Sequence, residues 1–126
     1  MIKFLLSTGG ILAMLGVLIG AFGAHALENR VSTELMEIFN TGIRYHFYHA
    51  FGLLILGISS YFLPDTGWLR WSGYLMLAGV IIFSGSLYLL VVTDTRWLGA
   101  ITPIGGTALI ISWALFVVAV LKGGIQ

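Results

Sequence analysis

The sequence predicts an all-α fold, a four-helix transmembrane bundle with a short amphipathic interfacial helix between spans one and two. Three observations lead there. Of 126 residues, 59% are hydrophobic and only 9% charged, with a mean hydropathy of +1.02, whereas soluble domains are roughly one quarter charged. The apolar residues gather into four long runs, each near the roughly 20 residues that cross a hydrocarbon core. Short polar or turn-forming stretches separate the runs, so residues 1–126 read as a single integral membrane domain.

Span one is expected over residues 4–26. Gly9, Ala13, Gly16, Gly20, Gly23 and Ala24 recur three or four apart, and such a stripe of small residues lets a second helix approach closely. The run ends at His25, an ionisable ring at the edge of an apolar segment, where such groups usually have a reason to be. Lys3 in front and Ala24-His25-Ala26 behind resemble a signal peptide, but the apolar stretch from Phe4 to Phe22 exceeds the roughly 7 to 15 residues of a signal core. The segment therefore reads as a retained span.

Residues 28–41 are polar by contrast. Val31, Leu35, Ile38 and Phe39 recur within them at helical spacing, with Ser32 as N-cap, which predicts the interfacial helix over 31–41. Gly42 loosens the chain before span two, 44–63, which opens on Arg44-Tyr45-His46-Phe47-Tyr48-His49. Pro64-Asp65-Thr66-Gly67 predicts a tight turn with Gly67 at positive φ, so spans two and three are antiparallel. Trp68 and Trp71 around Arg70 suit an aromatic belt at headgroup depth.

Span three covers 71–92, with Ser84, Ser86 and Tyr88 in its second half as its only expected polar groups. After the loop Thr93 to Trp97, span four covers 102–121. Thr102 is placed to cap it and Pro103 to occupy its first position. Gly105 and Gly106 make a second close-packing patch, and the full packing set is Gly16, Gly20, Gly23, Ala24, Gly85, Gly105 and Gly106. Lys3, Arg70 and Lys122 face Arg30, Arg44 and Arg96 across the membrane; the free amino group beside Lys3 tips the balance toward both termini inside.

Composition excludes several functions. Six basic and five acidic residues leave a formal charge of +1 with no run of like charge, so no nucleic-acid surface is indicated. The absence of cysteine removes thiolate nucleophiles and Cys-type metal sites. No nucleophile–base pair, phosphate loop or paired carboxylate appears, which ranks a lipid-processing enzyme last.

The remaining polar groups collect in one half of the bundle: His25, Tyr45, His46, His49, Ser84, Ser86, Tyr88, Thr102 and Thr107. A polar pocket open to one leaflet would suit a lipid headgroup or small amphiphile; a satisfied interhelical hydrogen-bond network is the plainer alternative. His25, His46 and His49 with Glu28 also match a divalent-metal site in residue type, though not in spacing. Haem between facing histidines is the other cofactor possibility, and proton relay through His and Glu is a further one. A transporter would show polar residues at mid-membrane depth, and span one has Leu, Gly and Met there.

GAFGAHAL in span one, YHFYHAFGLL in span two, FSGSLYLL in span three and ITPIGG in span four together resemble the small four-pass membrane proteins grouped as domain of unknown function 423, the transmembrane protein 256-like family. The motif residues are Gly20, Gly23, His25, Tyr45, His49, Ser84, Gly85, Pro103 and Gly106. The resemblance implies four transmembrane helices in a bacterial inner membrane or its organellar descendant, and implies no activity. The leading expectation is a non-enzymatic membrane protein that binds a lipid-like ligand or a partner helix, with membrane lipids and a second copy or another membrane protein as partners and no cofactor. The alternative is a metal- or haem-binding redox or transport component using His25, His46 and His49.

Overall fold

The computed structural model describes residues 1–124, so the last two residues of the expected domain lie outside it. The chain is all α among the described residues, with four helices alternating in direction. We label them α1, Ile2–Leu27, α2, Thr33–Ser59, α3, Gly67–Thr93, and α4, Thr102–Lys122. A 3-10 turn, Arg96–Ala100, precedes α4. By length and composition α1, α3 and the stretch Arg96–Lys122 can each cross a membrane. The equally long α2 carries more polar residues.

The expected interfacial helix is not a separate element. Residues 33–41 continue through Gly42 into the helix expected as span two. Packing explains the continuity: Gly42 is buried, a β-carbon there would lie 3.0 Å from the Tyr88 ring, and its carbonyl accepts a 2.7 Å hydrogen bond from Ser84 Oγ. Glycine here admits a neighbour rather than loosening the chain. Ser32 caps α2 through Leu35 N–H at 3.2 Å, as its position in the sequence suggests.

Two other local expectations change. Gly67 does not take positive φ but opens α3, leaving the turn to Pro64, Asp65 and Thr66. Left-handed backbone occurs instead at Asn29 (φ 62°), after α1, and at Asp94 (φ 50°), the C-cap of α3, both residue types that tolerate it. Asp94 then accepts from Arg96 Nε at 2.8 Å, while Arg96 Nη1 reaches Glu34 at 2.8 Å. This exposed link ties the α3–α4 connection to the start of α2; pairs of this kind contribute about 0–1 kcal/mol.

Helices pack on their sequence neighbours: α1 on α2, α2 on α3, α3 on α4. The glycine stripe of α1 faces α2, as its spacing implies, yet not at every position. A β-carbon at Gly9 would lie 2.9 Å from the Ala50 carbonyl oxygen, and one at Gly16 would lie 2.8 Å from the Phe47 ring. At Gly20 it would meet Ile43 of α2 at an ordinary 3.7 Å, a packing contact without close approach, and at Gly85 nothing within 4 Å, so Gly85 leaves the expected packing set. The tightest approach joins α3 to α4, where a β-carbon at Gly105 would sit 2.5 Å from the Phe83 backbone nitrogen. Gly106 lies at ordinary contact distance from the Phe83 ring, and Gly23 is close to Phe39.

The buried apolar side chains form two clusters. Leu5, Leu12, Ala50, Leu53, Leu56, Leu69, Met76, Val80 and Leu109 belong to the larger, toward the chain termini. Leu35, Phe39, Leu90 and Val91 form the smaller, at the far end. Between them, on α2 and α3, lie residues 42–49 and 83–88.

Candidate functional site

The level between the two apolar clusters carries most of the buried polar side chains. His46 is 4% exposed and His49 5%, one turn apart on α2, but they look in different directions. His46 Nε2 lies 2.6 Å from the carbonyl oxygen of Leu12 on α1, and its Nδ1 lies 2.8 Å from Tyr88 Oη on α3. Because a carbonyl only accepts, Nε2 must carry a proton, and in the singly protonated ring Nδ1 accepts from the tyrosine hydroxyl. His46 thus pins α1, α2 and α3 together.

His49 holds the opposite arrangement. Its Nδ1 is 2.7 Å from the Tyr45 carbonyl oxygen one turn back, and its Nε2 accepts from Trp113 Nε1 of α4 at 3.1 Å. Trp113 has only a donor to offer, so the proton of His49 must reside on Nδ1. Every ring nitrogen of both histidines is engaged.

Two more bonds complete the layer: Ser84 to the Gly42 carbonyl, and Ser86 Oγ to Thr102 Oγ1 at 2.6 Å. Thr102 was expected to cap α4; Ile101 stands at the N-cap, and the threonine hydroxyl is used between helices instead. Thr107 lies outside the layer, donating to the Pro103 carbonyl on an exposed face.

His25 does not join the others. Its side chain is 88% exposed at the end of α1, with Nδ1 4.0 Å from Glu28. Among the described residues no three His, Cys, Asp or Glu side chains come together as metal ligands. The set His25, His46, His49 and Glu28 is divided by geometry: one ring in solvent, one bonded toward α1 and α3, one toward α4. Facing-histidine haem ligation meets the same obstacle, since the available ring nitrogens of His46 and His49 already hold protein groups.

A second polar contact escaped the sequence reading, which took Ser84, Ser86 and Tyr88 as the polar groups of the third span. Ser72 Oγ donates to the Ser112 carbonyl and Ser112 Oγ to the Ser72 carbonyl, each at 2.8 Å, with both residues fully buried. Isolated serines in apolar runs signal little by themselves. Their pairing emerges only once antiparallel α3 and α4 are in register.

Beside the polar layer the helices part. An open groove of about 570 Å³ runs between α2 and α4, floored by Phe83 and Leu109 and walled by Tyr45, Tyr48, His49, Gly106, Ile110 and Trp113. Tyr45 leans on the floor, its ring 4.7 Å from that of Phe83 and tilted 41° to it, and Tyr48 stands edge-on to Tyr45 at 5.6 Å. Tyr48 is 56% exposed. The groove is apolar in its walls, with phenolic hydroxyls the uncommitted polar groups. Of the residues singled out from sequence, it gathers Tyr45, His49 and Gly106.

Comparison with known proteins places this arrangement in a group of membrane proteins. Residues 19–106 match the model of a family described as protein of unknown function (DUF423). The chain is 47% identical over 120 residues to the UPF0382 membrane protein YwdK of Bacillus subtilis (strain 168), covering 95% of this chain and 98% of that one. A UPF0382 membrane protein of Staphylococcus epidermidis (strain ATCC 12228 / FDA PCI 1200) is 44% identical over 120 residues, 95% of this chain and 97% of its own. The UPF0382 membrane protein SH2409 of Staphylococcus haemolyticus (strain JCSC1435) is 40% identical with the same coverage. No solved structure matches the chain.

Proposed function

Because the chain belongs to the DUF423 family of bacterial membrane proteins, we propose that it is a four-span, non-enzymatic protein of the bacterial inner membrane whose α2–α4 groove holds a lipid-like amphiphile. The observation that carries the reading is the groove itself. It presents apolar walls and two tyrosines to the outside, beside a layer whose buried polar groups are already paired within the protein. A site of this kind offers surface for hydrocarbon and a few hydroxyls for a polar head, with no group positioned to break a bond.

The four-span part of the proposal rests on α2. Its buried polar residues within the layer, His46 and His49, bond to α1, α3 and α4 rather than to solvent, and a helix whose buried polar groups are satisfied by its neighbours can cross hydrocarbon despite modest hydropathy. From Phe51 onward its outward face is apolar, with Phe51, Ile55 and Ile58 all about half exposed.

Native mass spectrometry of the protein extracted in mild detergent tests the groove. A β-carbon at Gly106 has room beside the Phe83 ring, at 3.6 Å, so Gly106→Leu fills the groove without forcing α4 off α3. Retained lipid should fall about tenfold, equivalent to about 1.4 kcal/mol. Unchanged lipid retention with an intact fold would overturn the reading; a dimer lost on the same substitution would assign the groove to a partner helix.

A further inference from the structure

We propose that the groove takes a phosphate-bearing, anionic phospholipid, with Arg44 holding the phosphate at its mouth; this rests on the groove reading above and names its ligand class. The outward face of α2 is a single stripe, Glu37, Asn40, Arg44, Tyr48, Phe51, Ile55 and onward, all exposed. It changes from polar to apolar between Tyr48 and Phe51. Arg44 therefore lies two turns, about 10 Å, to the polar side of Phe51.

The start of α4 sets the same level independently. Its 21 residues, Thr102–Lys122, measure about 30 Å, the thickness of the hydrocarbon core. Thr102 is bonded to Ser86, and Ser86 stands one turn from Phe83, on which the Tyr45 ring packs. Arg44 and Tyr45 thus sit within about one turn of the plane where α4 enters hydrocarbon. That is the edge of the hydrocarbon as α4 sets it, about two turns inside the end of α1, whose Gly20 lies beside Ile43, and long basic side chains at such a depth extend outward to the headgroups.

The guanidinium is available for such a partner. One of its five N–H donors meets Thr41 Oγ1 at 3.2 Å. Among the described residues, the paired arginines are Arg70, with Asp65, and Arg96, with Glu34 and Asp94; Arg44 has no carboxylate within ion-pair distance. Glu37 is the acidic residue of the same stripe, two turns further out. A guanidinium at hydrocarbon's edge with free donors matches a phosphodiester in charge and in its forked geometry. Tyr48 is four residues on, hence on the same side of α2 as Arg44, and its ring lines the groove. The phosphate can rest on Arg44 while one acyl chain follows the groove toward Trp113.

Trp113 is a reporter at the chain end of this site. In a Trp68→Phe, Trp71→Phe, Trp97→Phe background it is the sole tryptophan. The protein is reconstituted in phosphatidylcholine vesicles with a minor fraction of phosphatidylglycerol, brominated on the acyl chains of one lipid or the other. Quenching by brominated phosphatidylglycerol should exceed its mole-fraction share roughly fivefold, the preference one basic residue gives near a surface. In Arg44→Gln the excess should vanish while quenching by brominated phosphatidylcholine persists, and Arg44→Lys should keep part of it. The wild-type excess surviving in Arg44→Gln would overturn the headgroup assignment and leave the groove standing. A Trp113 insensitive to bromine on either lipid would overturn the groove reading itself. Added inorganic phosphate should not compete; competition would mark a soluble anion site and overturn the phospholipid assignment.

Discussion

At the residue scale, the histidines show how much chemistry depends on orientation that spacing alone leaves open. His46 and His49 are three apart, a spacing that allows convergence on one ligand, yet their ring nitrogens reach Leu12 and Tyr88 on one side and Tyr45 and Trp113 on the other. Selective ¹⁵N labelling should therefore give an Nε2–H signature for His46, an Nδ1–H signature for His49 and a solvent-averaged ring for His25. The same signature for both buried rings would refute the bonding scheme. A double-mutant cycle between His46→Leu and Tyr88→Phe should return a coupling of about 0.6 kcal/mol, the average for hydrogen bonds within membranes. His25→Ala should leave the melting temperature unchanged, because that side chain is 88% exposed and its ion-pair distance to Glu28 is a long 4.0 Å. The sequence marked His46, His49, Ser84, Ser86, Tyr88 and Thr102 among its polar groups, but could not show that Tyr88 meets His46 and Thr102 meets Ser86 across helices. It placed Arg44 at the opening of a span, but did not show that its guanidinium is without a carboxylate partner among the described residues.

At the element scale, glycine in a helix has two meanings that look alike in a sequence. Gly105 is a point where backbones touch, whereas Gly85 faces open space. Gly105→Ala should destabilise the protein by about 1–3 kcal/mol, as overpacking does. Gly85→Ala should stabilise it by about 0.5–1 kcal/mol, since the added methyl meets nothing and the unfolded chain loses freedom. Gly20→Ala should fall within about 0.5 kcal/mol of neutral. Thermal unfolding in detergent orders the three, and a destabilisation by Gly85→Ala equal to that by Gly105→Ala would contradict the seam described. The small-residue stripe of α1 was legible because it repeats every three or four residues; Gly79, which meets Leu109 and Gly105 on the α3–α4 seam, lies six residues from Gly73 and from Gly85, a spacing that makes no helical stripe, and was not. Likewise the switch from polar to apolar at Gly42 looked like an element boundary. A buried glycine bonded through its carbonyl to Ser84 let one helix run through it.

At the scale of the whole molecule, the helical class and the membrane setting were legible, because low charge and long apolar runs leave few other solutions. How α2 relates to the bilayer was harder to read, since its polarity is offset by partners distant in sequence. The chain lacks cysteine, so single-cysteine variants report sidedness directly. Cysteines replacing Lys3, Asp65 and Lys122 should react with an impermeant reagent from one side, and one replacing Glu28 from the other. Asp65 and Glu28 reacting from the same side would lay α2 along the surface. The order of packing, each helix against the next in the chain, also bears on how the molecule is made. No long loop has to close before a contact forms, so assembly can follow synthesis, each new helix docking on the one just inserted. The last to arrive is α4, held to the rest chiefly along the Gly79–Gly105 seam. Under mechanical or detergent stress α3 and α4 should stay together, joined by the most extensive helix–helix contact in the molecule and by the reciprocal Ser72–Ser112 bonds, and the groove should open by the parting of α2 from that pair.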